Sequence, residues 1–316
     1  MDPVIRPATP ADAPEISVLL NAVDLIEIGR EETDTAQVEE DLTHPEAALA
    51  ENSWLAFHDG RLVAYGLVWD DSRAERIDMD HYVLPDHQDA GEQLLDLMET
   101  QTVRRARANG AAKAVVHLHL NIRPTLDTSL LTGRGWSTVR RYHVLTRPLD
   151  PTADPLPAAP AGLRLRDCRD EGDRRTAHAL VEETFVDHFD HTPLTYDQWL
   201  TNLGNRMEWD RVWIASLDGS GDAAVLVTSD HREPYAWINV LGVRKAFRGQ
   251  GIAGHLLRHA FGAYAATGRD TIGLGVDTAN ETGALRLYER HGMSTHFAVD
   301  TWEVTLPVSP DDHPGA

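Results

Sequence analysis

Between Val243 and Ala253 the chain reads Val-Arg-Lys-Ala-Phe-Arg-Gly-Gln-Gly-Ile-Ala, leaving an apolar strand and opening a helix with one apolar face. Gly249 and Gly251 fall at the mouth of that helix. Glycines there let backbone N–H groups approach a pyrophosphate, and the helix dipole adds positive potential. Arg244, Lys245 and Arg248 form a basic island beside them. A glycine-containing turn from strand to helix is also common as mere structure, so this stretch alone leaves both readings open. Downstream, the run from Asn280 to Met293 carries Tyr288 on a helical segment. A phenol there can donate a proton, or it can be a core aromatic of an amphipathic helix. Asn280 suits an N-cap and Gly292 a helix stop.

These residues need elements to hold them. Arg211 to Ala215 and Ala223 to Ser229 read as strands flanking the turn Asp218-Gly219-Ser220-Gly221, and Trp237 to Val243 as a further apolar strand. Helix follows from about Gln250, with Leu256, Leu257, Ala260 and Phe261 on its buried face. Ile272 to Val276 alternates as a strand, and Glu281 to Arg290 reads as the last helix. The layout is mixed α/β.

The chain has 316 residues, 42% of them apolar, which predicts two compact domains. A formal charge of −21 argues against nucleic acid as a partner, because such binding rests on many cationic contacts to phosphate. An anionic cofactor must then be held by local geometry, which the glycine stretch offers. No basic leader precedes an apolar run and no long apolar segment is present, so the expectation is a cytoplasmic protein without membrane contact. The single cysteine, Cys168, excludes an intramolecular disulfide and reads as structural. No metal is expected: His188 with His191, and His117 with His119, lack a third ligand at a metal-binding spacing.

Landmarks recur along the chain at an offset of about 160 residues. Ile5-Arg6 answers Leu165-Arg166, Trp54-Leu55-Ala56 answers Trp213-Ile214-Ala215, and Asp59-Gly60 answers Asp218-Gly219. Val83 answers Val243, Gly91 answers Gly251, and Gly135-Trp136 answers Gly292-Met293. The constant order predicts two copies of one fold: residues 1–147, a Pro- and Ala-rich linker at 148–161, residues 162–306, and a disordered tail at 307–316.

Arg248, Gly251 and Ala253 resemble the signature of the GCN5-related N-acetyltransferase (GNAT) family: Arg or Gln, two residues, Gly, one residue, Gly or Ala. The Asn280 to Met293 run is similar to the same family in the spacing of its Asn, Ala, Leu-Tyr and Gly. Phe185-Val186-Asp187-His188 is similar to a segment of the mycothiol synthase group, a tandem member of the family. The resemblance implies two tandem GNAT domains with the second catalytic. It implies acetyl-CoA as cosubstrate, held by Leu241, Gly242, Val243, Arg248, Gly249, Gln250, Gly251, Ile252, Ala253 and Asn280. It further implies direct attack of an amine on the thioester, with Tyr288 as the acid that meets the departing thiolate.

The proton acceptor for the amine is less defined. Many family members place a carboxylate where this chain has Asn239, so Glu233 and His188 become the candidates, with Asp230, His231, Asp187, Asp190 and His191 nearby in sequence. In the first half, Asp86, Asp89 and Glu92 surround the retained Gln88 and Gly91, and would repel a pyrophosphate; Leu131 stands where Tyr288 stands in the second. That half is expected to be a degenerate, non-catalytic copy that shapes the acceptor pocket or replaces a dimer partner. The resulting expectation is a monomeric acyltransferase with pseudo-dimeric lobes, acetylating a primary amine of a small molecule. Three other readings stand beside it: a non-catalytic acyl-CoA sensor, an O- or S-acyltransferase, and a protein acetyltransferase.

Overall fold

The structure is a computed structural model that describes residues 3–70, 73–189, 191–204, 207–232, 235–280 and 283–309. It divides into two compact units, one of residues 1–142 with 297–316 and one of residues 143–296.

The first unit runs β1 (Val4–Arg6), α1 (Ala13–Glu27), α2 (Thr35–Thr43), α3 (Leu49–Asn52), β2 (Ser53–His58), β3 (Arg61–Trp69), β4 (Arg76–Val83), α4 (Gln88–Ala108), β5 (Lys113–Asn121), α5 (Thr128–Gly133) and the start of β6 (Ser137–Pro148). The second holds the end of β6, then β7 (Leu163–Asp167), α6 (Glu171–Phe185), α7 (Tyr196–Leu203), β8 (Val212–Leu217), β9 (Gly221–Arg232), β10 (Tyr235–Val243), α8 (Ile252–Ala266), β11 (Thr271–Asp277), α9 (Ala284–Arg290) and the start of β12 (Ser294–Pro307). The mixed α/β reading and the repeated element order are thus realised in both halves.

In the first unit the strand order is β1-β2-β3-β4-β5-β12. The β4–β5 pair is parallel, while β1–β2, β2–β3, β3–β4 and β5–β12 are antiparallel. β4 alternates half-buried and buried residues, sending Ile77, Met79, His81 and Val83 into the core and Asp78, Asp80 and Tyr82 to the opposite face. The second unit repeats the plan as β6-β11-β10-β9-β8-β7. Its core joins Leu226, Ile238, Leu256, Phe261, Tyr264 and Leu274, and a second cluster gathers Leu180, Trp199, Ile214 and Val227 under α6 and α7.

The closing strands are exchanged between the halves. β12 lies antiparallel to β5, from Val299 opposite Asn121 to Pro307 opposite Lys113, and its Val304 is buried in the first core. β6 is the neighbour of β11 in the second unit, where Leu145 is buried. The sequence places 162–306 in one domain; the compact unit instead begins at His143 and gives up everything from Phe297 onward. Alternation along a strand marks which face is buried but says nothing about which sheet edge it joins.

The segment expected as an extended linker is also built in. Leu149 N donates to Asp270 O (2.7 Å), Arg147 pairs with Asp154, and the backbone of Leu156 lies against Gly262 of α8. Residues 307–309, expected as the start of a disordered tail, continue the strand pairing: Val308 N donates to Ala112 O at 3.1 Å. The rest of that tail lies outside the described residues.

Candidate active site

The second unit opens a cleft where two parallel strands part. β10 and β11 pair from Tyr235 opposite Thr271 to Ile238 opposite Leu274, and no further, although β10 runs on to Val243 and β11 to Asp277. On its other edge β10 stays paired with β9 through Val243. The separation begins at a bulge: Ile238 faces Thr228 and Val240 faces Val227, so Asn239 is the extra residue. Its Nδ2 donates to Ser229 Oγ (3.0 Å), a structural task within the sheet.

Leu241 and Val243, expected at the cofactor, lie on this diverging part of β10 and are half-buried. Gly242 between them is buried, and a Cβ on it would come within 2.1 Å of Thr184 Oγ1. Its lack of a side chain therefore lets α6 lie close on β10, a packing role that the sequence reading did not include.

After β10 a 3₁₀ turn (Lys245–Phe247) leads to Arg248, Gly249 and Gln250, all exposed, and to Gly251 as the N-cap of α8. Gly249 and Gly251 have φ of 77° and 79°, the left-handed region that L side chains rarely enter. Nothing lies within 4 Å of where their Cβ atoms would stand. No side chain caps α8; the first ladder bond is His255 N to Gly251 O, so the N–H groups of Ile252, Ala253 and Gly254 have no acceptor within the helix. A bare helix start with open space over two left-handed glycines fits a pyrophosphate.

The basic island is less free than its sequence implies. Arg244 pairs with Glu183 of α6 (2.9 Å) and donates to Asp222 O, and Lys245 pairs with Asp187 (2.6 Å). Arg248 donates through Nε to Val243 O and forms no ion pair among the described residues. Two of the three cations fasten the loop to the segment after β7, and Arg248 keeps its charge toward solvent.

Tyr288 sits on α9, with 8% of its surface exposed. Burial alone pushes its phenol up to about 12, so it carries its proton at neutral pH. Among the described residues its hydroxyl makes no hydrogen bond. Asn280 is not the cap of this helix: α9 starts at Ala284 behind Gly283, and Asn280 N donates to Asp277 O in the turn after β11. A left-handed glycine, Gly283, has taken the capping position, three residues later than the sequence pattern places it.

On the acceptor side, His188 is half-buried and stacked on Phe185, ring centroids 4.0 Å apart. Burial lowers its pKa, against the pull of Asp277; His191 and Arg248 lower it further. The imidazole is therefore neutral at pH 7 and can accept a proton. His188 thus feels the charges of Asp277, at the end of β11, and of Arg248, in the turn after β10. Asp277 closes β11 at 8% exposure, and its Oδ1 accepts from Ala279 N (2.9 Å). It was not singled out from the sequence, where it is only the last residue of an alternating strand. His191 pairs with Glu182 and Asp230 with Arg269. Glu233 and Asp190 lie outside the described residues, as do the side chain of His231 and the pair 281–282. Cys168 is wholly buried, and burial pushes its thiol up to about 12.

In the first unit β4 and β5 also part, after Met79 opposite Leu118. There α4 begins at Gln88, so Gly91 lies inside the helix, where its carbonyl accepts from His81 Nε2 (3.0 Å). Gln88 Nε2 donates to Thr125 O (3.0 Å) and its Oε1 accepts from Asp127 N (2.7 Å). Glu27 of α1 holds Thr125 N (2.6 Å) and Asn121. Gln88, retained from the phosphate-loop pattern, is thus spent on fastening the loop after β5.

Residues 175–293, from within α6 to the turn after α9, match the acetyltransferase (GNAT) family. Over 96% of both chains the fold is similar to a GCN5-related N-acetyltransferase from Sphaerobacter thermophilus, at 26% identity and a TM-score of 0.82. A tandem GNAT protein from the clavulanic acid biosynthesis pathway is similar over 98% of this chain and 100% of its own, at 16% identity and a TM-score of 0.70, which shows the two-domain fold. The N-myristoyltransferase of Saccharomyces cerevisiae shares the fold more distantly, at 10% identity and a TM-score of 0.62 over 99% of this chain and 84% of its own. No curated protein matches the sequence. The GNAT resemblance and the tandem fold read from the sequence are borne out. Among the described residues no helix is long and apolar enough to cross a membrane, and no three His, Cys, Asp or Glu side chains are placed to hold a metal ion.

Proposed function

We propose that the second unit is an acetyl-CoA-dependent N-acetyltransferase acting on a primary amine of a small molecule, and that the first unit binds no acetyl-CoA. The observation that carries this reading is the parting of β10 and β11 beyond Ile238, bordered by the uncapped start of α8. Acetyl-CoA supplies an acetyl group activated as a thioester. The backbone of Leu241, Gly242 and Val243 offers a strand edge for its arm, and the N–H groups from Gly249 to Ala253 offer donors for its phosphates.

Tyr288 holds a proton at its hydroxyl and donates it to the departing sulfur. A thiolate is already a competent leaving group, so the donor contributes at the lower end of the usual ~10²–10⁴-fold for general acids. His188, neutral because it is buried, takes the proton from the attacking amine, and Asp277 stabilises the imidazolium that forms. Asn280, in the turn after Asp277, borders the same cleft from the β11 side.

Titration calorimetry of acetyl-CoA into the whole protein and into Gly251→Asp tests the cofactor half of this reading. One site in the parent and none in the variant is the expected result. Two sites, or one that survives the substitution, would assign cofactor binding to the first unit. An amine panel assayed by free-thiol release then tests the acceptor class.

A further inference from the structure

Each closing strand runs on into a segment of the same kind. After β6 the chain reads Pro148-Leu149-Asp150-Pro151 and reaches Pro155; after β12 it reads Pro307-Val308-Ser309-Pro310 and reaches Pro314. The first bond beyond each strand is also the same. Leu149 N donates to Asp270 O and Val308 N to Ala112 O, each acceptor lying two residues past the left-handed glycine that stops α8 or α4, Gly268 or Gly110. In the second unit the segment then crosses α8. A Cβ on Gly262 would stand 2.9 Å from Leu156 N and Cα, so the glycine lets the crossing backbone lie directly on the helix. In the first unit Ser309 O accepts from Arg107 of α4 (3.2 Å), which begins the same crossing.

The two helices come into register at their stops, where Ala111 N donates to Ala106 O and Arg269 N to Tyr264 O. Met98, Thr102 and Ala106 then take the places of Leu256, Ala260 and Tyr264, all of them at 0% exposure, and Arg104 takes that of Gly262. Where the segment lies on α8, α4 instead borders an open groove of about 530 Å³, lined by Glu51, Trp54, Leu97, Gln101, Arg104 and Arg105. Leu97 is 39% exposed there. Arg105 is held by Glu51 and by Asn52 Oδ1; Arg104 is exposed and forms no ion pair among the described residues.

The later segment differs from the earlier one in the sense that this groove requires. Asp311 and Asp312 replace Thr152 and Ala153, just as Arg104 replaces Gly262. A bare backbone contact in one copy thus corresponds to a cation and two carboxylates in the other. The Arg147–Asp154 pair has no counterpart, because Leu306 and His313 stand in those places.

We propose that the segment from Pro310 to Ala316 docks in the groove along α4, with Asp311 and Asp312 facing Arg104 and Pro314 covering Trp54 and Leu97. The reach suffices. Ser309 to Pro314, extended, covers roughly 17 Å, and α4 runs roughly 15 Å from Arg107 back to Leu97. Two prolines restrict the unbound segment, which lowers the entropy lost on docking. An exposed ion pair is weak by itself, so the apolar floor of Trp54 and Leu97 shares in holding the segment. The contact lies within the first unit and is independent of the acetyltransferase reading.

Amide hydrogen exchange of the whole protein, read by mass spectrometry at low ionic strength, tests the docking against a free peptide of residues 308–316. The amides of Asp311, Asp312 and His313 should exchange about fivefold or more slowly in the protein, at any protein concentration. Arg104→Glu, a change at an exposed position, should return them to the peptide rate. Adding Asp311→Arg and Asp312→Arg to that variant should restore the protection by reversing the pair. Exchange at the peptide rate in the parent protein overturns the docking, as does protection indifferent to Arg104→Glu. Protection that rises with protein concentration also overturns it, by assigning the groove to the segment of a second copy.

Discussion

Leu131 and Tyr288 close two short helices with one pattern of hydrogen bonds. The Leu131 carbonyl accepts from Arg134 N (3.0 Å) and Trp136 N (3.1 Å); that of Tyr288 accepts from His291 N (2.9 Å) and Met293 N (3.1 Å). In each case the glycine between them, Gly135 or Gly292, is left-handed. The two residues hold the same place in two copies of the fold, one with a phenol and one with an alkyl chain buried at 0% exposure. Tyr288→Phe keeps the ring and removes the proton. Turnover should fall about 10- to 100-fold with acetyl-CoA affinity unchanged, measured by single-turnover kinetics beside calorimetry. Equal turnover would remove the acid role from Tyr288.

Gly242 and Thr184 make a stability pair. Gly242→Ala forces a methyl group against Thr184 Oγ1 and should cost about 1–3 kcal/mol by chemical denaturation. Thr184→Ala, which gives up only hydrogen bonds to the Leu180 and Val181 carbonyls of its own helix, should recover most of that loss in the double variant. Additive losses would mean that the two side chains do not meet.

Much of this was legible in the chain itself. The duplication shows because turns are local: Asp59-Gly60 and Gly135 must recur wherever the same hairpin and helix stop recur. The phosphate loop shows for the same reason, since Gly249 and Gly251 answer a backbone requirement within a few residues. What did not show depends on distant partners. Glu183 and Asp187, which occupy two of the loop's three cations, stand in and just after α6, far upstream. Asn280 misled because an Asn before a helical pattern is a good cap in isolation, while Gly283 performs that task here.

His188 predicts a pH limb. With its imidazole as proton acceptor, kcat/KM should fall on acidification through a pKa below the ordinary imidazole value of about 6.5, because burial depresses it. His188→Gln should lower the plateau and abolish that limb. A limb that persists unchanged in the variant would reassign the base.

His81 and Asp24 make opposite contributions to stability in acid. The buried His81 is depressed to about 4, so the unfolded chain binds its proton first; stability present above pH 6.5 drains away as pH falls toward 4. Asp24 is raised to about 6, so the folded chain binds its proton first, and stability rises as pH falls through the same window. His81→Asn should leave only the second trend, with stability growing by roughly 1–3 kcal/mol from pH 7 to pH 4 relative to the parent slope, read from urea midpoints. Asp24→Asn should do the reverse.

The exchange of closing strands also bears on how the molecule is made. β12, which completes the first sheet beside β5, emerges from the ribosome after everything else in the second unit. The amino-terminal half must therefore wait, one sheet edge uncovered, until the second unit has been made, and a message cut between the two copies encodes two unfinished sheets. A duplication that began as two separable copies has become a single, indivisible product of synthesis.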